Sequence, residues 1–226
     1  MTLVKICGVS EPRHARAAAS CGADFVGVVF APSRRQVTMG QAARIAESLG
    51  RRPPPPSQAG VEAVEARLGN GKPLLVGVFA DQDVDTINGI ADEVGLDLIQ
   101  LSGSEPWEVC ALLNRPVLKC LKVRNGQSSA EVLAEVRDGA LLLLDPYVEG
   151  SYGGAGVTMD WGVAAAVARE RRVMLAGGLR PDNVGRAVQA VRPWAVDVSS
   201  GVESEGVKDV AMIREFIKAV KGVAPA

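Results

Sequence analysis

The chain has few of the residues that build metal centres and disulfide scaffolds. Its 226 residues include one histidine, His14, and four cysteines, none of them in a C-x-x-C pair. Such scattered residues exclude a disulfide framework and a Cys/His metal cluster, so we expect no metal site. Cys21, Cys110 and Cys120 are interpreted as small buried apolar residues, whereas Cys7 ends the first predicted strand and is followed by glycine.

The chain also lacks a strong charge of either sign, a long apolar run and a signal-peptide pattern. Its formal net charge is −1, which gives no basic field, so nucleic acid is not an expected partner. No apolar run approaches the roughly 18 residues of a membrane-spanning helix, and we expect neither membrane insertion nor export. A cytoplasmic location is the default expectation.

What the chain contains is a regular alternation of β-rich and helical patterns. Several β-rich runs, such as Leu141–Leu144, are continuously apolar, which is typical of strands buried on both faces. Helical patterns separate the runs, for example over Gln41–Leu49, Asp83–Val94, Trp161–Arg169, Pro181–Val191 and Asp209–Val220. The alternation predicts eight strands, over Leu3–Cys7, Phe25–Phe30, Leu74–Phe79, Leu96–Leu101, Val117–Val123, Leu141–Asp145, Val173–Ala176 and Ala195–Ser199.

Eight strands with intervening helices favour parallel pairing through right-handed crossovers. Gly22 and Gly95 each follow a helical pattern and precede a strand, where glycine is the usual helix stop. The alternative, an open doubly wound sheet, usually has fewer strands and carries a G-x-G-x-x-G fingerprint after its first strand, which this chain lacks. We therefore predict one α/β domain over residues 1–226, a (β/α)8 (TIM) barrel.

Residues 51–72 interrupt the alternation. The run Pro53–Pro56 forces an extended backbone, and Val61–Leu68 after it is compatible with a short helix. We predict a Pro-rich surface insertion on the face away from the active mouth of the barrel. A segment that docks a partner is the alternative.

Strand phasing brings polar side chains to one end of the predicted barrel. Side chains two residues apart point to the same face of a strand. If those faces point inward, three polar side chains reach the C-terminal mouth, where barrels of this type carry their chemistry. These residues and their same-face neighbours are Cys7 with Lys5, Asp145 with Leu143, and Asp197 with Ala195.

Each of these positions also has a purely structural interpretation. Cys7 could be a buried strand cysteine, and Asp145, which precedes Pro146, could form a turn. Asp197 could be a hydrogen-bond acceptor beneath a site, and Lys5 could be a paired interior lysine. A thiol and a carboxyl at one barrel mouth nevertheless indicate an acid/base pair.

Glycine-rich turns follow the last three predicted strands. The loops after strands 7 and 8 are the usual phosphate site of such barrels, because glycine lets backbone N–H groups approach phosphate oxygens. Tight turns alone are the alternative. We predict phosphate contacts from Gly177, Gly178, Ser200 and Gly201, and a mobile flap over the substrate containing Gly154 and Gly156.

A series of ordered motifs covers the chain almost end to end, outside residues 51–72. They are Val4–Gly8, Gly22–Gly27, Pro32–Arg35, Gly77–Phe79, Ile99–Leu101, Leu143–Asp145, Tyr152–Gly156, Asp160–Trp161, Ala176–Leu179 and Val196–Glu203. In this order the motifs resemble those of the phosphoribosylanthranilate isomerase family of tryptophan biosynthesis. No one of them alone would be specific.

The resemblance implies an Amadori rearrangement of N-(5-phosphoribosyl)anthranilate, without a metal or an organic cofactor. Asp145 would be the general acid that protonates the ribose ring oxygen, and Cys7 the general base that removes the C2 proton. The acid needs a raised carboxyl pKa in a partly desolvated site, and the base needs some thiolate. The expected partner is a small phosphorylated substrate, and the chain would be a monomer or a homodimer.

The resemblance also implies the residues that bind the rest of the substrate. Arg35 would bind the anthranilate carboxylate bidentately, in preference to the adjacent Arg34. Gln100 and Asp197 would be polar contacts. One departure is Ser102, in Gln100–Gly103, where the family often has histidine; we interpret this as a substrate-side position that varies.

Two other functions compete with this interpretation. The first is the sister barrel isomerase of histidine biosynthesis, or an enzyme that handles both Amadori substrates. Such enzymes would be expected to have aspartate at the position of Cys7. The second is a phosphosugar-binding barrel without catalysis, against which the presence of both Cys7 and Asp145 argues.

Overall fold

The computed structural model describes residues 1–50, 61–69, 71–137, 139–148 and 158–224. Eight parallel strands close in chain order into a barrel, as predicted, with β1 pairing with β8 so that Lys5 is opposite Asp197. The strands are β1 Leu3–Ile6, β2 Phe25–Val29, β3 Leu74–Phe79, β4 Leu98–Leu101, β5 Val117–Val123, β6 Leu141–Pro146, β7 Val173–Leu175 and β8 Ala195–Val198.

The strands are buried on both faces, which explains their apolar sequences. All residues of β3 and β6 are buried. One face packs inside the barrel, where Phe25, Leu98 and Leu143 belong to the inner cluster, and the other face packs beneath the helices. Alternate residues therefore point into the barrel, and the last inward residue of each strand lies at the C-terminal mouth.

Helices follow the strands and begin at residues that cap them. Thr38 and Ser128 form capping boxes, and Asp83 accepts from the N–H of Thr86. Gly95 ends its helix in the left-handed conformation, at φ 71°, as predicted. The helices are α1 Pro12–Ser20, α2 Met39–Ser48, α3 Val61–Arg67, α4 Val84–Val94, α5 Trp107–Cys110, α6 Ser129–Ala134, α7 Trp161–Glu170, α8 Val184–Val191 and α9 Val210–Lys221.

The segment after β7 differs from the prediction. The helix expected from Pro181 begins at Val184 instead, because Asn183 holds a turn before it. The Asn183 side chain accepts from the N–H of Arg180 at 2.8 Å and donates to the carbonyl of Gly178 at 2.9 Å. These bonds hold the backbone of residues 178–183 in a turn, and the helix begins after it.

The segment after β8 contains structure that the sequence did not predict. A short 3-10 helix over Ser200–Val202 leads into a hairpin of β9 Glu203–Ser204 and β10 Val207–Lys208. The two turn residues have positive φ values, 51° at Glu205 and 81° at Gly206, as in the tight turns that match strand twist. This hairpin lies beside the barrel mouth, because Lys208 bonds to Ser199.

The described part of the Pro-rich segment is not purely a surface insertion. Helix α3 buries Val64 in the inner barrel cluster, and Glu65 accepts a hydrogen bond from the indole N–H of Trp194 at 3.1 Å. Arg67 forms an ion pair with the buried Asp97, which also accepts from the N–H of Leu75. The helix therefore lies against the end of the barrel remote from the mouth. The extended backbone predicted for Pro53–Pro56 lies outside the described residues.

The other cysteines are less uniform than expected. Cys120 is buried inside the barrel, whereas Cys21 and Cys110 are only half-buried. Their helical positions explain the difference, since Cys21 follows α1 and Cys110 ends the short α5. Within the described ranges, no group of three or more His, Cys, Asp or Glu residues is placed to hold a metal ion. None of the described helices is both long and apolar enough to span a membrane.

Candidate active site

One cavity at the C-terminal mouth gathers most of the predicted site residues. Its lining comes from the ends of the strands and from the loops that follow them, as expected for a barrel of this kind. The lining includes Cys7, Ser33, Arg35, Gln100, Ser102, Asp145, Gly177, Gly178, Asp197, Ser199, Ser200 and Gly201. Gly154 and Gly156 lie outside the described residues.

Cys7 follows directly after β1, and its backbone N–H donates to the carbonyl of Val198 at 2.8 Å. Gly27 in β2 provides the space for its thiol. A Cβ atom at Gly27 would stand 2.9 Å from Cys7 Sγ and 3.2 Å from Lys5 Cε. The thiol and the lysine side chain therefore converge on the same point of the barrel wall.

Lys5 is fully buried and binds Asp197, with Nζ 2.9 Å from Oδ1. Burial alone would lower the pKa of Lys5, but Asp197 and the Cys7 thiol outweigh it and raise the pKa above its ordinary value. Lys5 is thus a paired interior lysine, as one interpretation held. Asp197 both binds Lys5 and lines the cavity.

The Cys7 thiol lies among charges of both signs. Burial raises its pKa, and the Asp197 carboxylate raises it further, while Lys5 and Lys208 act in the opposite direction. The net shift is upward, so the thiol form dominates at neutral pH. A thiolate at this site therefore requires additional positive charge.

Asp145 lies in β6 and is paired with a residue that sequence reasoning did not single out. Its Oδ2 atom lies 2.6 Å from Nζ of Lys122 in β5, and both side chains are largely buried. Burial raises the pKa of Asp145, Lys122 opposes that shift, and the net direction is upward. A carboxyl with a raised pKa retains a proton at higher pH than a solvated one, as a general acid requires.

Arg35 lies over the end of β1 and is held by Glu203. The guanidinium donates from Nε to Glu203 Oε1 at 2.7 Å and from Nη2 to Oε2 at 2.9 Å. Arg34 and Lys208 bind the same carboxylate, at 2.7 and 2.5 Å. Burial would raise the pKa of Glu203, but these donors outweigh it and lower the pKa. Since a guanidinium has five N–H groups, Arg35 keeps donors beyond the two in this pair.

Gly8 permits this arrangement. Its φ is 73°, and a side chain there would meet the Arg35 stem and Ser199 Oγ. The glycine that follows Cys7 is therefore required by the backbone conformation and by the approach of Arg35.

The two glycine turns pack against each other. Gly177 and Gly178 have positive φ values of 87° and 58°. A Cβ atom at Gly201 would collide with the carbonyl oxygen of Leu179, so the loops after β7 and β8 meet at backbone distance. Both loops line the same side of the cavity.

Gln100, at the inward face of β4, is almost fully buried. Its Nε2 donates to Ser102 Oγ at 2.9 Å, and its Oε1 has no hydrogen-bond partner among the residues that the structure describes. A buried amide oxygen without a partner is costly, so this atom is suited to accept from a bound ligand. Ser102, at the position of the expected histidine, thus orients Gln100.

Comparison with known proteins agrees with the fold and shows the family of the chain. The family model described as N-(5'phosphoribosyl)anthranilate (PRA) isomerase matches residues 54–219. An N-(5'-phosphoribosyl)anthranilate isomerase of Roseiflexus castenholzii is 48% identical over 98% of this chain and 99% of its own. The chain belongs to the phosphoribosylanthranilate isomerase family. It is therefore an isomerase of tryptophan biosynthesis, and the resemblance inferred from its motifs is confirmed.

Solved structures of phosphoribosylanthranilate isomerases have the same barrel. The enzyme from Thermotoga maritima matches with a TM-score of 0.80 and 34% identity, covering 98% of this chain and 100% of its own. Another solved phosphoribosylanthranilate isomerase, in complex with reduced 1-(o-carboxyphenylamino)-1-deoxyribulose 5-phosphate, matches with a TM-score of 0.76 and 32% identity over 98% of this chain and 100% of its own.

Three charged residues near the cavity, Lys122, Glu203 and Lys208, were not predicted from the sequence. Lys122 could have been found, because Leu118, Cys120 and Lys122 share the inward face of β5 under the same alternation that placed Asp145. Glu203 belongs to the motif Val196–Glu203, but the motif did not indicate that its carboxylate binds Arg35. Lys208 gave no signal, since the hairpin that places it was not predicted.

Proposed function

We propose that the enzyme catalyses the Amadori rearrangement of N-(5-phosphoribosyl)anthranilate to 1-(2-carboxyphenylamino)-1-deoxyribulose 5-phosphate, with Asp145 as general acid and Cys7 as general base. The observation that carries the proposal is that this carboxyl and this thiol line one cavity together with two glycine turns. Membership of the isomerase family supports the choice of substrate.

The substrate has two anionic ends, and the cavity has a suitable binding group for each. We assign the phosphate to Gly177, Gly178, Ser200 and Gly201, because closely packed glycine turns present backbone N–H groups to an anion. We assign the anthranilate carboxylate to Arg35, whose remaining N–H groups can bind it while Glu203 fixes the guanidinium plane. The ribose would then lie between the two ends.

The first chemical step is ring opening. The proton of Asp145 passes to the ribose ring oxygen, the electron pair of the C1–O bond goes to that oxygen, and the anthranilate nitrogen forms a C1=N iminium bond. Burial favours the protonated carboxyl that this step uses. General acid catalysis of this kind contributes about 10²- to 10⁴-fold.

The second step is removal of the C2 proton by Cys7. The iminium cation acidifies the C2 proton, and its charge favours loss of the thiol proton of Cys7 to solvent in a cavity where burial and Asp197 otherwise disfavour the thiolate. The thiolate then accepts the C2 proton and becomes a thiol again. The electrons of the C2–H bond form the enolamine, which tautomerises to the ketone. The order of steps therefore supplies the positive charge that the thiol lacks in the free enzyme.

Two further side chains would orient the sugar. The Oε1 atom of Gln100, which has no hydrogen-bond partner within the described part of the chain, can accept from a ribose hydroxyl, and Asp197 can do so while bound to Lys5.

Turnover with identification of the product tests the proposed reaction. The substrate is generated in situ, its fluorescence is followed after addition of the enzyme, and the product is identified by NMR as the 2-ketose. A barrel that binds the reduced product analogue without turnover would instead be a binding protein, and the reaction proposed here would be wrong.

Replacement of Arg35 by alanine should raise KM by about 10- to 100-fold, with a smaller effect on kcat. The loss of charge-assisted hydrogen bonds to a carboxylate costs about 1.5–3 kcal/mol, which corresponds to that range. Arg34→Ala is the matched control, since Arg34 binds the same Glu203 but its side chain is 58% exposed and does not line the cavity. Steady-state kinetics of both variants measure KM. An equal rise in KM in Arg35→Ala and Arg34→Ala would refute the assignment of the anthranilate carboxylate to Arg35.

Replacement of Gly201 by alanine should weaken binding of the phosphorylated substrate and product by at least about tenfold. The new methyl group would push the loop after β8 away from Leu179, and the backbone N–H groups on both turns would move with it. Gly89→Ala in α4 is the control, because a Cβ there meets nothing within 4 Å. Calorimetric titration with product measures the effect, and equal affinities in the two variants would contradict it.

A further inference from the structure

Lys122 and Asp145 meet across the wall between two cavities. Asp145 lines the active-site cavity, whereas Lys122 lines an adjoining cleft, here called the side cleft, together with Ser104, Trp107, Arg124 and Tyr147. Nζ of Lys122 lies 2.6 Å from Oδ2 of Asp145. The ammonium group thus has a route to solvent through the side cleft, and the carboxyl group faces the substrate cavity.

The contact follows from the barrel itself. Strand register places Lys122 directly opposite Asp145 in the β5–β6 pair, and inward side chains of paired strands lie about 5 Å apart at their Cβ atoms. Rigid strands therefore carry both partners, and movement of a loop would not separate them. This is the kind of support that holds a functional group in one orientation.

The charges around this pair oppose one another. Three charged side chains act on the Asp145 carboxyl: Lys122 of β5, Asp197 of β8 and Lys5 of β1. The Cys120 thiol of β5 acts on Lys122. Burial and Asp197 favour the protonated carboxyl, while Lys122 and Lys5 favour the carboxylate. Lys122 is the nearest of these charges and makes the direct hydrogen bond.

We propose that Lys122 is a positioning residue for the general acid: it holds Oδ2 of Asp145 so that Oδ1 carries the transferred proton, and it stabilises the carboxylate that remains after transfer. The inference rests on the proposed function, in which Asp145 protonates the ring oxygen. Lys122 keeps its own proton throughout, and Asp145 regains its proton from solvent. A buried carboxyl without this partner would hold its proton too strongly to donate it efficiently.

The test compares Lys122→Met, Lys122→Gln and Lys122→Arg with the wild type in two measurements. The first is the pH titration of the Asp145 carboxyl carbon by NMR in aspartate-labelled protein, with Asp145→Asn identifying the signal. We expect the titration to move to higher pH by at least about one unit in the Met and Gln variants, and Arg to restore it. Arg124→Gln, which removes a charge from the side cleft that is not bonded to Asp145, should leave the titration unchanged.

The second measurement is the pH profile of kcat/KM for the same variants. The limb of the profile that belongs to the Asp145 carboxyl should move to higher pH, and kcat should fall by about tenfold or more. KM should stay within about threefold, because Lys122 is not among the residues that line the substrate cavity. The limb that belongs to the Cys7 thiol should not move. A purely structural lysine would lower thermal stability without shifting one limb selectively.

These outcomes separate the two proposals. A carboxyl titration that is the same in the wild type, Lys122→Met and Lys122→Gln would overturn the role of Lys122, whether or not the enzyme turns over. A wild type that does not convert the substrate would overturn the proposed function while the titration still decides the role of Lys122. If Lys122→Met does not fold, Lys122→Gln and Lys122→Arg decide the question, since both keep a donor at this position.

Discussion

Replacement of Cys7 by alanine is expected to lower kcat by about 10²- to 10⁴-fold while product binding stays within a few-fold of wild type. Alanine removes the group that accepts the C2 proton and leaves Arg35 and the glycine turns in place. Cys7→Ser should be nearly as inactive, because a hydroxyl is far less acidic than a thiol and forms too little alkoxide. Single-turnover fluorescence decay measures the chemical step directly.

Cys120→Ala is the matched control for this experiment. Cys120 lines the same cavity, but burial raises its pKa to about 12, so its thiol contributes no base at neutral pH. The control should retain turnover within a few-fold. Equal losses in Cys7→Ala and Cys120→Ala would mean that packing, and not proton transfer, explains the effect of Cys7.

The pH dependence of Cys7 has a definite direction. Because the pKa of its thiol is raised, the thiolate fraction in the free enzyme increases only as the pH rises above the ordinary range of cysteine. Alkylation of Cys7 by iodoacetamide should therefore be slow at neutral pH and accelerate into the alkaline range. Fast alkylation at pH 7, measured by mass spectrometry of the labelled peptide, would contradict a raised pKa of the Cys7 thiol.

Replacement of Asp145 by asparagine is expected to lower kcat by a comparable factor, about 10²- to 10⁴-fold, through loss of the ring-opening proton. Asparagine has nearly the same shape, and its carbonyl oxygen can still accept the hydrogen bond that Lys122 donates. The amide, however, cannot donate the proton that the ring oxygen needs. The reduced product analogue is already open and needs no ring-opening proton, so its affinity for this variant should stay close to its affinity for the wild type.

Asp182→Asn provides the corresponding control. It makes the same carboxylate-to-amide change in the loop after β7, where the side chain is 71% exposed and pairs only with its neighbour Arg180 among the described residues. Its kcat should be unchanged. Wild-type turnover in Asp145→Asn would remove Asp145 from the mechanism and leave the acid step without a donor.

Much of the barrel could be predicted because its strands are buried on both faces. The bounds of β3 and β5 match the prediction. In β3 the apolar run ends where the chain leaves the barrel, and in β5 apolar residues flank two lysines. The start of α8 could not be predicted from Pro181, because the turn before it depends on the side chain of Asn183. The burial of Val64 beneath the barrel depends on tertiary contacts that local patterns do not encode.

Some residues of the candidate site could likewise be predicted from the sequence, and others could not. Cys7, Asp145 and Asp197 could be placed because strand alternation and the common direction of parallel strands carry them to one mouth. The ion pair between Glu203 and Arg35 could not be predicted, since it joins a loop to the hairpin strand β9 across 168 residues of sequence. Pairings between charged residues on such distant segments leave no periodic signal in the sequence.

The most direct test of the account follows the fluorescence of N-(5-phosphoribosyl)anthranilate, generated in situ, after addition of wild type, Cys7→Ala or Asp145→Asn at equal concentration. We expect rapid loss of fluorescence with the wild type, conversion to the 2-ketose, and decay slowed by at least about 100-fold in each variant. Undiminished decay in either variant would contradict the assigned acid/base pair, and a wild type that leaves the fluorescence unchanged would contradict the proposed reaction itself.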